Sequence, residues 1–455
     1  MTADAAPGAP TAPAASEDAL ERFRTLLRIP TMSRNAVEET DWAAFDAFVD
    51  ALPRLYPALH GVLERERHGH SLLYRWRGRG DGAPTVLMAH YDVVPATEEG
   101  WTHPPFAAEV TGDGEHRLLW GRGAIDDKGA VVALLEAVEA LVRDGFQPAS
   151  DVYLSFGHDE ETVGSGAKGI ATVLRARGIR PALVLDEGGA VVERIFPGVS
   201  KPIAVIGVSE KGITSVRLTV EQEGGHASTP PAMTATVRLA RAITRLNAKP
   251  FPARLSETNL RMVETLGAHA SGPLRTVFTR ARRLQPVLRA VFGRLSDETR
   301  AIVRTTTAVT QLRGSLAANA LPETAEAIVN TRIAVGSSVE ETLAHLRRAI
   351  RDDAVRVEAV DASEPSPVSP CDGPQWDRLA AAIGSVHPRA IVTPYVMLGA
   401  SDSRHFTGIC DAVYRFTPFE LSAAERAALH ARDERIHVAT WFAGIAVYTH
   451  LLRAS

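Results

Sequence analysis

Apolar residues along this chain follow two rhythms, and the change comes near residue 211. Before it, Leu20, Phe23, Leu26 and Leu27 recur at helical spacing and stop near Pro30, and a second helix is predicted from Trp42 to Leu52. Short apolar runs follow. SLLYRW, PTVLMAHYDVV, DVYLSF and ALVLD read as strands, with a turn at GRGRGDG and helices over AVVALLEAVEALV and AKGIATVLRAR. Strands alternating with helices at this spacing predict an α/β domain, with a mainly parallel sheet and helices on both faces. In such sheets chemistry gathers at the carboxyl ends of the strands.

After residue 211 the pattern alternates. ITSVRLTVEQ places apolar residues at every second position, as a half-exposed strand does. A helix from Ala232 to Leu246 and a long Arg-rich segment follow, then a strand over AEAIVNTRIAV, a helix over VEETLAHLRRAI and a strand over AVRVEAV. This order predicts a smaller α+β domain of ferredoxin-like type over residues 211–362, inserted into a larger one covering 16–210 and 363–455. The linker EPSPVSP marks its end. Between Arg275 and Arg304, Arg alternates with Leu, Val and Phe. This pattern fits a solvated helix whose Arg stems cover apolar surface, or a subunit contact, better than a membrane-surface helix.

Composition narrows the function classes. Of 455 residues, 45% are hydrophobic and 23% charged, the balance of a soluble globular protein, and the length suits two domains. A formal net charge of −4 lacks the basic excess of a nucleic-acid binder. No apolar run reaches the ~18 residues of a membrane span. Residues 1–15, rich in Ala, Pro and Gly, read as a disordered lead-in rather than a signal peptide, so a cytoplasmic location is expected. Cys371 and Cys410 stand in unrelated contexts and offer neither a disulfide framework nor a cysteine zinc site.

Five segments carry the acids and imidazoles. MAHYDVVP puts His90 and Asp92 two apart at a strand end, where they can share a face. GRGAIDDKG sets Asp126 and Asp127 between glycines before a helix. SFGHDEETVGSGA crowds three acids, including Glu160 and Glu161, at another strand end, where they repel one another unless cations or protons neutralise them. LVLDEGG adds Asp186 and Glu187, and LHARDERIH adds His430. Each segment alone also has a structural explanation, such as helix capping or a solvated loop. Together they gather imidazoles and carboxylates at the strand ends of one sheet, a donor set suited to two zinc ions a few ångströms apart.

HYDVVP, GRGAIDDKG, HDEETVGSGA, LDEGG, GGHASTPP and ASDSRHF, in this order, make nearly the whole chain resemble the zinc exopeptidase family of carboxypeptidase S and aminoacylase. Glutamate carboxypeptidase, succinyl-diaminopimelate desuccinylase and the carnosine dipeptidases belong to the same family. HDEE, LDEGG and GVSEKG look most like its carboxypeptidase S branch. The resemblance implies two divalent metal ions, zinc first among them, with Asp126 bridging. His90 and one acid of the Asp186–Glu187 pair would bind one ion, and Glu161 and His430 the other. Asp186 is favoured, with Glu187 left open. Asp92 would hold His90, and Glu160 would be the general base. A cis peptide is implied between Asp126 and Asp127. On the insert, a lid and dimerisation domain in the family, His226 would stabilise the oxyanion. Asn319, Arg332 and Arg404 match positions that can grip a carboxylate, with Arg332 the most open to a purely structural role.

The implied reaction is metal-dependent hydrolysis of an amide bond next to a free carboxylate. The substrate would be a small peptide or an N-acyl amino acid, and the enzyme a homodimer in which the oxyanion histidine reaches the partner's site. A dipeptidase of the same family is the alternative. A serine hydrolase is the rival from another class, since ASDSRH contains Ser, Asp and His, although no G-x-S-x-G elbow is present.

Overall fold

In the computed structural model, which describes residues 17–455, four strands lie side by side and parallel: Val152–Gly157, Thr85–His90, Leu183–Asp186 and Val413–Arg415. The first three are buried along their whole length. This is why they read as unbroken apolar runs rather than as alternating ones. Ser71–Trp76 extends the sheet antiparallel to Val152–Gly157, and Glu64–His68 pairs beyond it. Register decides the chemistry. His90 stands opposite Gly157, and Asp186 opposite Arg415, so the strands deliver their polar ends at one edge.

Helices pack against this sheet. Lys128–Arg143 is buried over most of its length and lies against the C-terminal helix Val438–Arg453. The Trp441 indole N–H donates to the Gly129 carbonyl at 3.0 Å, and Phe23 of the Glu17–Leu27 helix stacks on Trp441 with ring centroids 4.8 Å apart. The predicted second helix runs over Trp42–Leu55.

The chain divides into two compact units. The one just described runs up to Val208 and resumes over Ser369–Thr393 and Ser401–Ser455; the other comprises Ser209–Val368 and Pro394–Ala400. The return of Pro394–Ala400 to the second unit has no counterpart in the sequence reading, which followed only the linker. The expected lead-in over residues 1–15 falls outside the described residues.

The second unit is built on a four-stranded antiparallel sheet in the order Thr306–Arg313, Thr324–Ile333, Gly212–Glu221, Arg356–Ser363. Helices Ala235–Ala248 and Val339–Ile350 cover one face. Val216, Leu218, Val329, Leu239, Leu246 and Leu346 meet there, each burial contributing about 1.5–3 kcal/mol. Thr306–Arg313 is an edge strand exposed nearly throughout, and it was hidden in the sequence because neither face is apolar. The Arg-rich segment folds into the helices Glu257–His269, Pro273–Phe278, Gln285–Leu295 and Asp297–Ile302. Among the described residues no helix is long and apolar enough to cross a membrane.

Candidate metal centre

The site begins at the end of the Thr85–His90 strand. His90 Nδ1 faces the Asp92 carboxylate at 3.2 Å and the Asp92 carbonyl at 3.1 Å. That pairing puts the ring proton on Nδ1 and turns Nε2 toward Asp126 Oδ1, 3.0 Å away. Asp92 does a second job. Its two carboxylate oxygens accept the amides of Glu160 and Glu161, both at 3.2 Å, so one buried acid aligns the imidazole and fixes the turn carrying the other two acids.

Asp126 lies in the GRGAIDD loop, where Gly123 turns at a φ of 88° with Val93 and Lys128 too close to admit a side chain. The Asp126–Asp127 peptide is cis, as the resemblance implied. The Asp126 oxygens are shared out: Oδ1 to His90 Nε2, and Oδ2 to His430 Nε2 at 2.9 Å. His430 Nε2 also lies 3.1 Å from Glu161 Oε2. His430 has a positive φ of 58°, an uncommon backbone state for a residue with a side chain. Glu187 Oε1 is 3.8 Å from His90 Nε2. His90, Asp126 and Glu161 form one group able to hold a cation, and His90, Asp127 and Glu187 another.

Asp186 and Glu187, the pair left open between them, sit differently. Asp186 Oδ2 accepts the Ser403 amide at 2.7 Å, and Asp186 belongs to neither group, whereas Glu187 does. Asp127, not singled out as a ligand from sequence, lies at the centre as well, with Oδ2 accepting the His90 amide at 3.3 Å.

Charge at this site is unbalanced. Burial and the Asp126 charge push Glu187 up to about 8. Burial and Glu187 drive Asp127 and Glu160 well above the usual carboxylate range. Burial also raises Glu161, although His430 opposes it. Burial works against the Asp126 anion too, yet His430 and His90 outweigh it and hold its pKa well below the usual range. For His90, burial is overcome by Asp126, Asp92 and Glu187, so its pKa rises. Two imidazoles therefore answer for five crowded acids. Glu161 Oε1 and Asp127 Oδ1 are buried without a hydrogen-bond partner among the described residues. Orphaned carboxylate oxygens, excess negative charge and a donor set of imidazole and carboxylate all fit divalent cations.

The residue that anchors the loop from behind was missed in the sequence, although it stands four positions after His430 in LHARDERIH. Glu434, fully buried, pairs with Arg122 at 2.6 Å and accepts the amides of Gly123, Ile125 and Asp126 at 3.0, 2.8 and 3.1 Å.

The remaining candidates are distributed. Arg404 lies in the Asp402–Phe406 turn of the first unit. His226 and Asn319 come together in the second. The Gly225–His226 strand pairs with Ala320–Leu321, and the Ala227 amide donates to the Asn319 carbonyl at 3.0 Å. Arg332 stands opposite Ile213, at the far end of the Thr324–Ile333 strand from that ladder. No serine–histidine pair forms in ASDSRH: the Ser401 and Ser403 hydroxyls meet each other at 2.7 Å, and His405 Nε2 has no hydrogen-bond partner among the described residues.

The chain also matches known proteins. The model of peptidase family M20/M25/M40 matches residues 86–454. The chain is 34% identical over 416 residues to the probable carboxypeptidase S-like 2 of Dictyostelium discoideum, covering 90% of this chain and 79% of that one. It is also 34% identical over 430 residues to the human N-fatty-acyl-amino acid synthase/hydrolase PM20D1, covering 92% and 84%. Its fold resembles that of the M20 family metallo-carboxypeptidase Sso-CP2 from Sulfolobus solfataricus, with a TM-score of 0.71 at 17% identity over 96% of this chain and 98% of the other.

Two outcomes are expected. Replacing Glu434 with Gln removes one partner of a buried ion pair, at a cost of about 3–5 kcal/mol in urea unfolding. It should also weaken zinc binding roughly 10- to 100-fold, as losing a group that orients ligands does. The second concerns pH. Glu187 binds its proton more tightly in the fold, with a pKa near 8 against an ordinary 4.5, and His430 does likewise, near 10 against 6.5. Each contribution is full below the ordinary value and is lost as pH rises through the folded one. Asp126, shifted down, is ionised in both states above neutrality and does not tilt the profile there. The melting temperature of metal-stripped protein should therefore fall from about pH 6 to about pH 9. The stabilisation by added zinc should grow over the same range; a flat profile would contradict the charge imbalance.

Proposed function

Since the chain belongs to peptidase family M20/M25/M40, we propose that it hydrolyses the amide bond of N-acyl amino acids and small peptides that end in a free carboxylate. The names of two relatives support this substrate range, one a carboxypeptidase S-like protein and the other a hydrolase of N-fatty-acyl amino acids. The observation that carries the reading is the division of the Asp126 carboxylate between His90 and His430, with Glu187 beside one imidazole and Glu161 beside the other. This arrangement supports two ions. His90 and Glu187 would hold one, His430 and Glu161 the other, with Asp126 between them. Zinc suits a site of imidazoles and carboxylates without cysteine. Bound there, the ions would lower the pKa of a water and polarise the scissile carbonyl.

The chain's own groups do the rest. Glu160, raised by burial and Glu187, accepts the proton that the water gives up as its oxygen bonds to the carbonyl carbon. It then delivers that proton to the amine nitrogen as the carbon–nitrogen bond breaks. The Ser228 amide donates to His226 Nδ1 at 3.1 Å, which leaves the ring proton on Nε2. Nε2–H is thus a donor suited to an oxyanion. Asn319, neighbour of His226, and Arg404 are assigned to the substrate carboxylate. Arg332, at the far end of its strand from the His226–Asn319 ladder, is left out.

Replacing Glu160 with Gln should lower turnover by ~10²-fold or more while metal content and melting temperature stay near wild type. Hydrolysis of a panel of N-acyl amino acids and dipeptides, followed with and without chelator, measures this. Near-normal turnover would move the proton transfer to another group, and full activity in chelator would end the metal reading.

Since His226 and the metal-centre residues belong to different units, the homodimer with a shared site is part of the proposal. Mixing His226→Ala subunits with Glu160→Gln subunits should restore activity, because each mixed dimer has one site with both lesions and one with neither. No recovery despite proven subunit exchange rules out the shared site.

A further inference from the structure

Two cavities in the second unit meet at one arginine. The larger, about 680 Å³, is lined by Phe251, Leu255, Asn259, Val303 and Arg304 among others. The smaller, about 290 Å³, is lined by Ala253, Arg289, Ala290, Gly293, Arg294 and Arg304. Three of those six residues are arginines and none is an acid.

These arginines lack the counter-charges their neighbours have. Elsewhere in the second unit, Arg282 pairs with Glu257, Arg300 with Asp297 and Arg238 with Asp352. Arg289, Arg294 and Arg304 have no carboxylate partner among the described residues, and the buried Nε atoms of Arg289 and Arg304 have no hydrogen-bond partner there. Burial and the charges of Arg300 and Arg294 lower the Arg304 pKa, the mark of a cation among cations. The guanidinium also has a seat. A side-chain carbon on Gly293 would lie 2.6 Å from an Arg304 terminal nitrogen, so the guanidinium rests against the Gln285–Leu295 helix in space that a larger residue would make it leave.

Guanidiniums crowded around one cavity without a carboxylate call for an anion, and three of them for one with more than a single charge. We propose that the small cavity over Gly293 binds the phosphate group of a small phosphorylated molecule, whose body occupies the adjoining 680 Å³ cavity. The guanidinium fork matches phosphate oxygens in pairs. The larger cavity has the volume of ordinary small-molecule sites and offers both apolar walls and the Asn259 amide. A hollow shared by two cavities suits a compact ligand better than a lipid surface.

Calorimetric titration of the full chain with inorganic pyrophosphate tests this, with acetate and phosphatidic-acid vesicles as further arms. Saturable binding of one pyrophosphate per chain is expected, with Arg304→Gln and Arg294→Gln each weakening it at least tenfold. Arg294 is exposed, so its variant keeps the test open if Arg304→Gln does not fold. Acetate should bind at least tenfold more weakly than pyrophosphate. Neither variant touches the metal centre. Pyrophosphate binding that survives both therefore belongs elsewhere and overturns the proposal. No saturable binding, equal binding of acetate, or binding to vesicles alone overturns it as well.

Discussion

Asp126 can offer one oxygen to each of two imidazoles only because the loop beneath it is fastened from behind by a buried acid. Glu434 gathers the amides of Gly123, Ile125 and Asp126 and the Arg122 guanidinium, replacing the water those groups would otherwise require. Without that anchor the loop amides would be buried unpaired, and the carboxylate would lose its bearing on both His90 and His430. Asp92 repeats the device on the other side, holding an imidazole and a turn with one side chain. The centre is thus built from two layers of acids, an outer one satisfied by amides and an inner one left crowded and charged. Only the inner layer is available to cations.

That layering explains which parts of the site could be read in the sequence. His90 and Glu161 were legible because apolar strands run straight into polar clusters, and Asp126 and His430 because the motifs around them resemble the family's in order. The different settings of Asp186 and Glu187 were not, because the amide that Asp186 accepts belongs to Ser403, 217 positions away. Glu434 looked like one more charge in ARDERIH; nothing local signals that it turns inward to meet Arg122. The same contrast holds in the fold. Fully buried strands such as Thr85–His90 announce themselves by composition, whereas Thr306–Arg313 is defined by its neighbour Thr324–Ile333 and not by any pattern of its own.

The second unit follows a different economy. Its sheet and two covering helices follow alternating and helical periods closely enough to be legible. The Arg-rich stretch does not, because short helices with Arg on several faces present no single apolar stripe. Phe278, Leu288 and Phe292 supply its buried contacts. Arginine there serves in two ways: some side chains close ion pairs at the surface, and others line a small cavity that holds no acid.

Arg122 and Glu434 are separated by 312 residues, and Asp126 and His430 by 304. During synthesis, the strands bearing His90, Glu161 and Glu187 leave the ribosome long before the residues that lock the loop and complete the ligand set. A contact that closes so long a stretch forms late, after most of the sheet. Completion of the cluster therefore belongs to the end of biogenesis. A nascent chain passes through an interval in which its acids have gathered but their final imidazole has not arrived.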